Sequence, residues 1–502
     1  MSQAWDDVRL NRRALLTASM VGGAGLALSA CGLSHPAPTL GQAITAAEKA
    51  RPHTGRTVTA TLTARPASID LGGPIARTLA YGDALPGPLI RANAGDELAV
   101  TVQNRLGGPT SVHWHGIALR NDMDGAVPAT PNIAANSEFT YRFSSPYPGT
   151  YWAHPHVGLE ADYGLYLPVI IDDPADPGRY DAEWIVVLDD WTDGIGRSPQ
   201  QVYHALKQTR MPAESPAQEM RGMTSVGTSA LLGGDSGDVD YPYYLVNGRV
   251  PAAPTSFAAK PGQRIRIRFI NVGADTAFRV ALAGHTMTVT HTDGYPIVPT
   301  DVDALLLGMA ERYDVLVTAG DGVFPLVAVP EGKKAAPGRA LLSTAAGAPP
   351  DVTFQPSELN RRVGTVDTFT ATPAASLGSS QTDVSLGLEL TGSMTNYDWG
   401  VNGKHYPAST PLTVKQGQRA TLTFTNSTMM YHPMHLHGHT FQVIKPDGSP
   451  GARKDTVNVL PSQKLSAVLV ADNPGIWMLH CHNNYHQESG MQTTLNYTAY
   501  TT

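Results

Sequence analysis

The chain has 502 residues, enough for about three domains, and a formal charge of -7. With 49 Gly, 39 Pro and only 16% charged residues, its composition suits a turn-rich all-β protein and excludes a coiled coil or a disordered chain. No basic run follows the N-terminus, which argues against a nucleic-acid partner, and two cysteines, Cys31 and Cys481, cannot supply a disulfide framework.

The first thirty residues read as an address. Arg12 and Arg13 precede an apolar run from Ala14 to Ala30 that is too short and too rich in Gly and Ser for a good membrane span. The string NRRALL resembles a twin-arginine export signal, with Asn11 where Ser or Thr is usual. LSAC, Leu28 to Cys31, resembles a bacterial lipobox, which makes Cys31 the lipidated first residue of the mature chain. The alternative is an ordinary signal cut near Ala30 that leaves Cys31 a free thiol. Residues 31–55 read as a linker. Lipid attachment through one chain is a marginal anchor.

Three copies of one pattern follow: Ala94 to Asn104, Pro261 to Asn271 and Gln416 to Asn426. Each places a Gly before an alternating strand that ends in Asn nine residues later, so each predicts a half-buried strand. Asn-Gly turns at Asn247 and Asn402 precede the second and third copies. A second block is shared by copies one and three only. PGTYWAHPH and NPGIWMLHCH both set His at the fifth and seventh positions after the Gly. Three β-rich units of similar length predict three sandwich domains on one Greek-key plan, over 56–176, 177–348 and 349–502. The segment 214–240, rich in Gly, Ser and Asp, reads as a surface loop of the second domain.

Nine and eleven residues after the strand-ending Asn, the first copy carries His113 and His115 and the third His435 and His437. The middle copy carries Val280 and Leu282, so the middle domain reads as a metal-free spacer. A His-x-His pair on a strand presents both imidazoles on one face. Four such pairs exist: His113/His115, His154/His156, His435/His437 and His480/His482. If domains one and three pack about a pseudo-twofold axis, eight imidazoles converge, too many for one metal and well divided over three. Parity separates a second site. Cys481 lies between His480 and His482 and points to the opposite face, as His432 does relative to His435. With His486 and a weak axial Met491, these form the His₂Cys set of a blue-copper electron-transfer centre. Pro155 stands where domain one would need the cysteine.

HWHG, HPH, HPMHLHGH and HCHNNYHQESGM together resemble the copper-binding motifs of three-domain multicopper oxidases, whose domains are cupredoxin-like. More narrowly, HWHGIALRNDMDG, YWAHPHVGL and LDDWTDGIG look like actinobacterial lipoprotein members linked to copper resistance. The resemblance implies four copper ions and the reduction of dioxygen to water. It assigns the type 1 copper to His432, Cys481, His486 and Met491, and the type 2 copper to His113 and His435. One type 3 copper takes His115, His154 and His482, and the other His156, His437 and His480. Asp124 resembles the carboxylate that orients water and helps deliver protons. Family members often place a second proton-relay Glu directly after the last type 1 histidine. Here that residue is Gln487, with Glu488 one position on as the substitute acid.

The donor is less determined. Soft thioethers suit Cu(I), and Met394, Met429 and Met430, with Asp398, fall near the segment carrying His432. Cu(I) oxidation in detoxification is therefore the first expectation, at a lipid-anchored monomer facing the periplasm or cell wall. Phenol oxidation through an open edge at His486, or Fe(II) oxidation, are the alternatives. The full ligand set argues against a non-enzymic scaffold. His439 and His285 read as structural hydrogen-bonding residues.

Overall fold

A computed structural model describes residues 38–176, 179–208, 226–378 and 381–500 of the chain. Cys31 lies outside those residues. Each copy of the repeat forms the strand expected of it: Glu97–Asn104, Arg264–Asn271 and Arg419–Asn426. Each pairs in parallel with the strand that opens its domain, Thr57–Asp70, Ala182–Trp191 and Val384–Thr391. A second sheet faces each of these, giving three two-sheet sandwiches of four and four, six and six, and six and five strands.

The Asn that ends each strand has a physical task. Asn104 Nδ2 donates to the carbonyls of Gly108 and Ile133, Asn271 Nδ2 to Thr276 and Leu307, and Asn426 Nδ2 to Met430 and Val459. In every copy its Oδ1 accepts the backbone N–H two residues on, at 2.8–2.9 Å. These Asx turns reverse the chain out of the first sheet and aim the next segment at the second. In domains one and three that segment is the histidine strand, His113–His115 or His432–Leu436. In the middle domain it is Phe278–Leu282, where Val280 and Leu282 are wholly buried.

Three expectations change. The middle strand Arg264–Asn271 is not half-buried: after Arg264, every residue is buried. Its outer face meets domain one, where Arg268 donates to Thr150 Oγ1 at 2.9 Å, while the same guanidinium is held within its own domain by Asp314 Oδ2 at 2.9 Å. The stretch read as a linker carries a helix, Leu40–Lys49, opened by a reciprocal cap between Thr39 and Gln42. It is pinned to the body by Glu48, which accepts the Ser144 N–H, and by Arg51, which donates to Asn473. The described part of the segment read as a surface loop runs inward, with Asp235 to Val239 buried. Its polar residues are there because they have partners: the N–H groups of Asp238 and Val239 donate to the Asp275 carboxylate.

Candidate metal centres

Within the second sheet of domains one and three, the two histidine strands pair antiparallel in matching register. His113 sits opposite His154, and His435 opposite His480. Domains one and three meet along these strands, so all four His-x-His pairs converge. The His113 ring stacks on His437 at 3.6 Å and the His115 ring on His435 at 3.7 Å, an exchange that repeats across the pseudo-twofold axis. Three groups of ring nitrogens each gather within 4.8 Å: His113, His115 and His435; His115, His154 and His482; His156, His437 and His480.

The hydrogen bonds on the outer edges of the rings fix what faces inward. His113 Nδ1 donates to the Asp124 carbonyl, His435 Nδ1 to the Asp455 carbonyl, His154 Nδ1 to Pro155 O and His480 Nδ1 to Cys481 O, at 2.9–3.0 Å. His437 Nδ1 donates to Asp124 Oδ2 at 2.9 Å. A neutral imidazole that gives its proton on one side presents a lone pair on the other. The Nε2 atoms of His437 and His480 then face one another at 3.0 Å, and those of His482 and His154 at 3.4 Å. His113 Nε2 and His435 Nε2 are buried with no partner. His115 is turned the other way: Nε2 lies 3.2 Å from Asp455 Oδ1, and Nδ1 is buried without a partner. Burial, with neighbouring imidazoles second for most, holds His115, His154, His156, His437, His480 and His482 well below the ordinary range, so they stay neutral. Opposed lone pairs in a dry cavity repel unless a cation lies between them, so this donor set fits metal ions. The group of His113, Asp124 and His437 also lies within ligand range. It uses the edges already committed to hydrogen bonds, and it is the support of the cluster rather than a fourth ion site.

Two carboxylates brace the rings across the domain boundary. Asp124 of domain one holds His437 of domain three, and Asp455 of domain three holds His115 of domain one. Gly125 lets the Asp124 turn press on the His113 strand, since a Cβ there would meet Val112 O at 1.8 Å and φ is +84°. Burial works against the charge of Asp455, but the Arg312 guanidinium outweighs it and holds this carboxyl well below the usual range. Arg312, from the middle domain, is wholly buried. It donates to both Asp455 oxygens at 2.8 and 2.5 Å and to Thr150 O of domain one at 3.1 Å. The middle domain therefore contributes to the cluster although it carries none of the paired histidines.

On the far side of the Ile476–Cys481 strand stands the second centre, as parity requires. His432 Nδ1 and His486 Nδ1 face one another at 3.1 Å, and Cys481 Sγ lies 3.6 and 3.7 Å from them. Thr428 Oγ1 at 2.8 Å and Asp238 Oδ2 at 2.9 Å occupy the two Nε2 atoms. Burial pushes the Cys481 thiol well up, so a thiolate there needs a cation beside it. Met491 is wholly buried, its carbonyl accepting the Cys481 N–H and its own N–H donating to His486 O, both at 3.0 Å. The expected open edge at His486 is absent. His486 is fully buried, with Trp399 at 4.3 Å and Tyr397 at 6.0 Å, and Tyr397 Oη donates to Asp238 at 2.7 Å.

The thioether set is not gathered as one surface site. Met430 is sealed in the core, while Met429, on the bend before it, is 57% exposed. Met394 packs part-buried on the core, and Asp398 Oδ1 accepts the N–H and hydroxyl of Ser393 within its own turn. Glu488 is exposed on the last helix, while the Gln487 amide lies 3.5 Å from His156 Nδ1. His439 and His285 are structural as expected: His439 bonds His437 O and Tyr497 Oη, and His285 bonds Ala283 O and accepts the Gly320 N–H. Asp455, Arg312 and Asp238 escape the sequence reading.

Three family models, each described as multicopper oxidase, match residues 64–176, 182–346 and 381–499. The chain is 65% identical to multicopper oxidase MmcO of Mycobacterium tuberculosis over 98% of both chains. It is 28% identical to copper resistance protein A of Escherichia coli over 86% of this chain and 91% of that one. Among solved structures, the laccase of Botrytis aclada shares the fold with a TM-score of 0.73 at 24% identity, over 93% of each chain.

Proposed function

The chain belongs to the multicopper oxidase family, and on that premise we propose that its two centres hold four copper ions and that its donor is Cu(I). His432, Cys481, His486 and Met491 hold the type 1 copper, and His113 and His435 the type 2. His115, His154 and His482 hold one type 3 copper, and His156, His437 and His480 the other. Bound copper supplies one-electron oxidation at the sulfur ligand and four-electron reduction of dioxygen to water at the cluster. The chain's own work is to join the two: Cys481 is bonded through the backbone to a cluster histidine on each side. Burial of the rings, complete for all but the part-buried His156, limits access of water and keeps the imidazoles neutral, hence able to ligate.

The sealed His486 carries the choice of donor. A phenol cannot lie against a buried ring edge, so electrons enter through the residues that cover it. One of these, Asp238, is reached by a segment whose Asp235 bridges Met430, beside the exposed thioether of Met429. A soft thioether leading to a carboxylate suits a small cation, and the resemblance to copper resistance protein A supports the same reading. We further propose export through the twin-arginine signal and lipidation of Cys31, with the protein acting as a monomer, since one chain carries every ligand. Steady-state kinetics with Cu(I) and with a phenol test the donor. Met429→Leu raises KM for Cu(I) several-fold and leaves that for the phenol alone. Phenol turnover far above Cu(I) turnover, with Cu(I) kinetics unmoved by the substitution, overturns the reading.

A further inference from the structure

Reduction of one dioxygen to two waters consumes four electrons and four protons, and the protons must cross a shell of buried imidazoles. The carboxyl groups around the cluster differ in their fitness for that task. Asp455 is locked as a carboxylate by Arg312. Asp124 spends its Oδ2 on a ligand ring. Asp162 is buried, bonded by Tyr485 Oη at 2.5 Å, and has no outlet to solvent. Gln487 has no acidic proton, and Glu488 is exposed on the helix one position past it.

Glu160 differs from all of these. It lies four residues after His156, on the turn that leaves the histidine strand, and it is only part-buried, so one edge meets solvent. Thr110 Oγ1 donates to its Oε2 at 2.5 Å, and the next residue, Ser111, accepts the His156 N–H at 2.8 Å. One short segment thus ties this carboxyl to the backbone of a cluster histidine. No cation stands within ion-pairing distance of it among the described residues. The titratable group that faces it is the Tyr81 phenol, which burial keeps neutral. We propose that Glu160 is the acid that loads protons for oxygen reduction, taking each from solvent at its open edge and giving it up toward the cluster, with the Thr110 hydroxyl holding the carboxylate left behind.

Burial without a countercharge pushes Glu160 up to about 7, against the pull of the Thr110 hydrogen bond. That is where a proton donor working near neutral pH is most effective. The inference rests on the oxygen-reducing role of the cluster and not on which donor feeds it.

Two measurements test it. Infrared titration of the copper-free protein should show a protonated carboxyl band with a midpoint near 7. The band should be missing from Glu160→Gln, and its midpoint should move up in Thr110→Val, because the hydroxyl favours the carboxylate. Fully reduced holoenzyme mixed with oxygenated buffer should reoxidise more slowly as pH rises through that midpoint. Glu160→Gln, with copper content and blue band intact, should reoxidise at least about tenfold more slowly at pH 7 and lose that pH dependence. A wild-type rate and profile in Glu160→Gln overturns the proposal, as does a carboxyl band titrating near 7 that survives the substitution. Holoenzyme that consumes no oxygen at all overturns the role of the cluster as well.

Discussion

Replacing Arg312 by Met should damage both the stability of the protein and the copper nearest Asp455. The guanidinium makes four hydrogen bonds, to Thr150 O, Ala310 O and the two Asp455 oxygens, at 2.5–3.1 Å, and both side chains of the pair are completely buried. A methionine fills much of the volume but leaves a carboxylate in the interior without its counter-ion. Breaking a buried pair by removing one partner costs roughly 3–5 kcal/mol. Lys454 does not rescue it, because it is committed to Asp293 and Glu311 at 3.1 and 3.0 Å. Denaturant unfolding of the copper-free protein reads the loss. Paramagnetic resonance of the loaded protein reads the type 2 signal, which should fall or broaden while the type 1 signal holds, since the sulfur centre lies on the other side of its strand. The double variant Arg312→Met with Asp455→Asn should recover about 1–3 kcal/mol, because no orphan charge remains. A single variant that loses less than about 1 kcal/mol, or a double variant that recovers nothing, would refute the argument from the uncompensated carboxylate.

Two further outcomes follow from the same kind of reasoning. Burial first, and then the Arg266 and Arg268 charges against the opposing pull of Asp314, press His291 down to about 4. Its unfolded form binds a proton first, so stability should drop by on the order of 3 kcal/mol as pH falls from about 6.5 to 4; His291→Gln should flatten that slope in thermal melts of the copper-free protein, and an unchanged slope counts against it. Gly125→Ala drives a Cβ into Val112 O at a φ of +84°; it should cost the protein its type 2 copper before its blue band, measured as copper content and absorbance, and full loading would contradict the close approach.

The gathering of the paired histidines and Cys481 is legible in the sequence because it is set by local rules that repeat. The strand-ending Asn makes the same Asx turn in every copy, so a histidine nine residues on arrives at the same place in two domains, and strand parity sends Cys481 to the other face. What the sequence could not show depends on how the domains dock. Asp455 and His115 are 340 residues apart and Asp238 and His486 are 248 apart. No spacing rule connects them. The segment 214–240 misled for the same reason: its acids look like surface residues until their partners in other domains are known. Residues 31–55 carried a readable signal in the Thr39 to Gln42 cap, which composition alone overrides. Met429 and Met430 are adjacent in sequence and opposite in fate, because the chain bends at Met429 before it enters the sheet.

The crossed grip of Asp124 on His437 and Asp455 on His115 has a consequence for the life of the protein. Neither outer lobe can orient all of its rings by itself, since His437 and His115 each wait on a carboxylate from the other lobe, so the copper sites come into being only when the two lobes close. The same clasp governs departure: an ion held between rings from both lobes leaves when they part, and the buried Arg312 that touches all three domains resists that parting. Retention of the metal is in this sense a mechanical property of the interface, set by how often it opens and not by how tightly any one histidine binds.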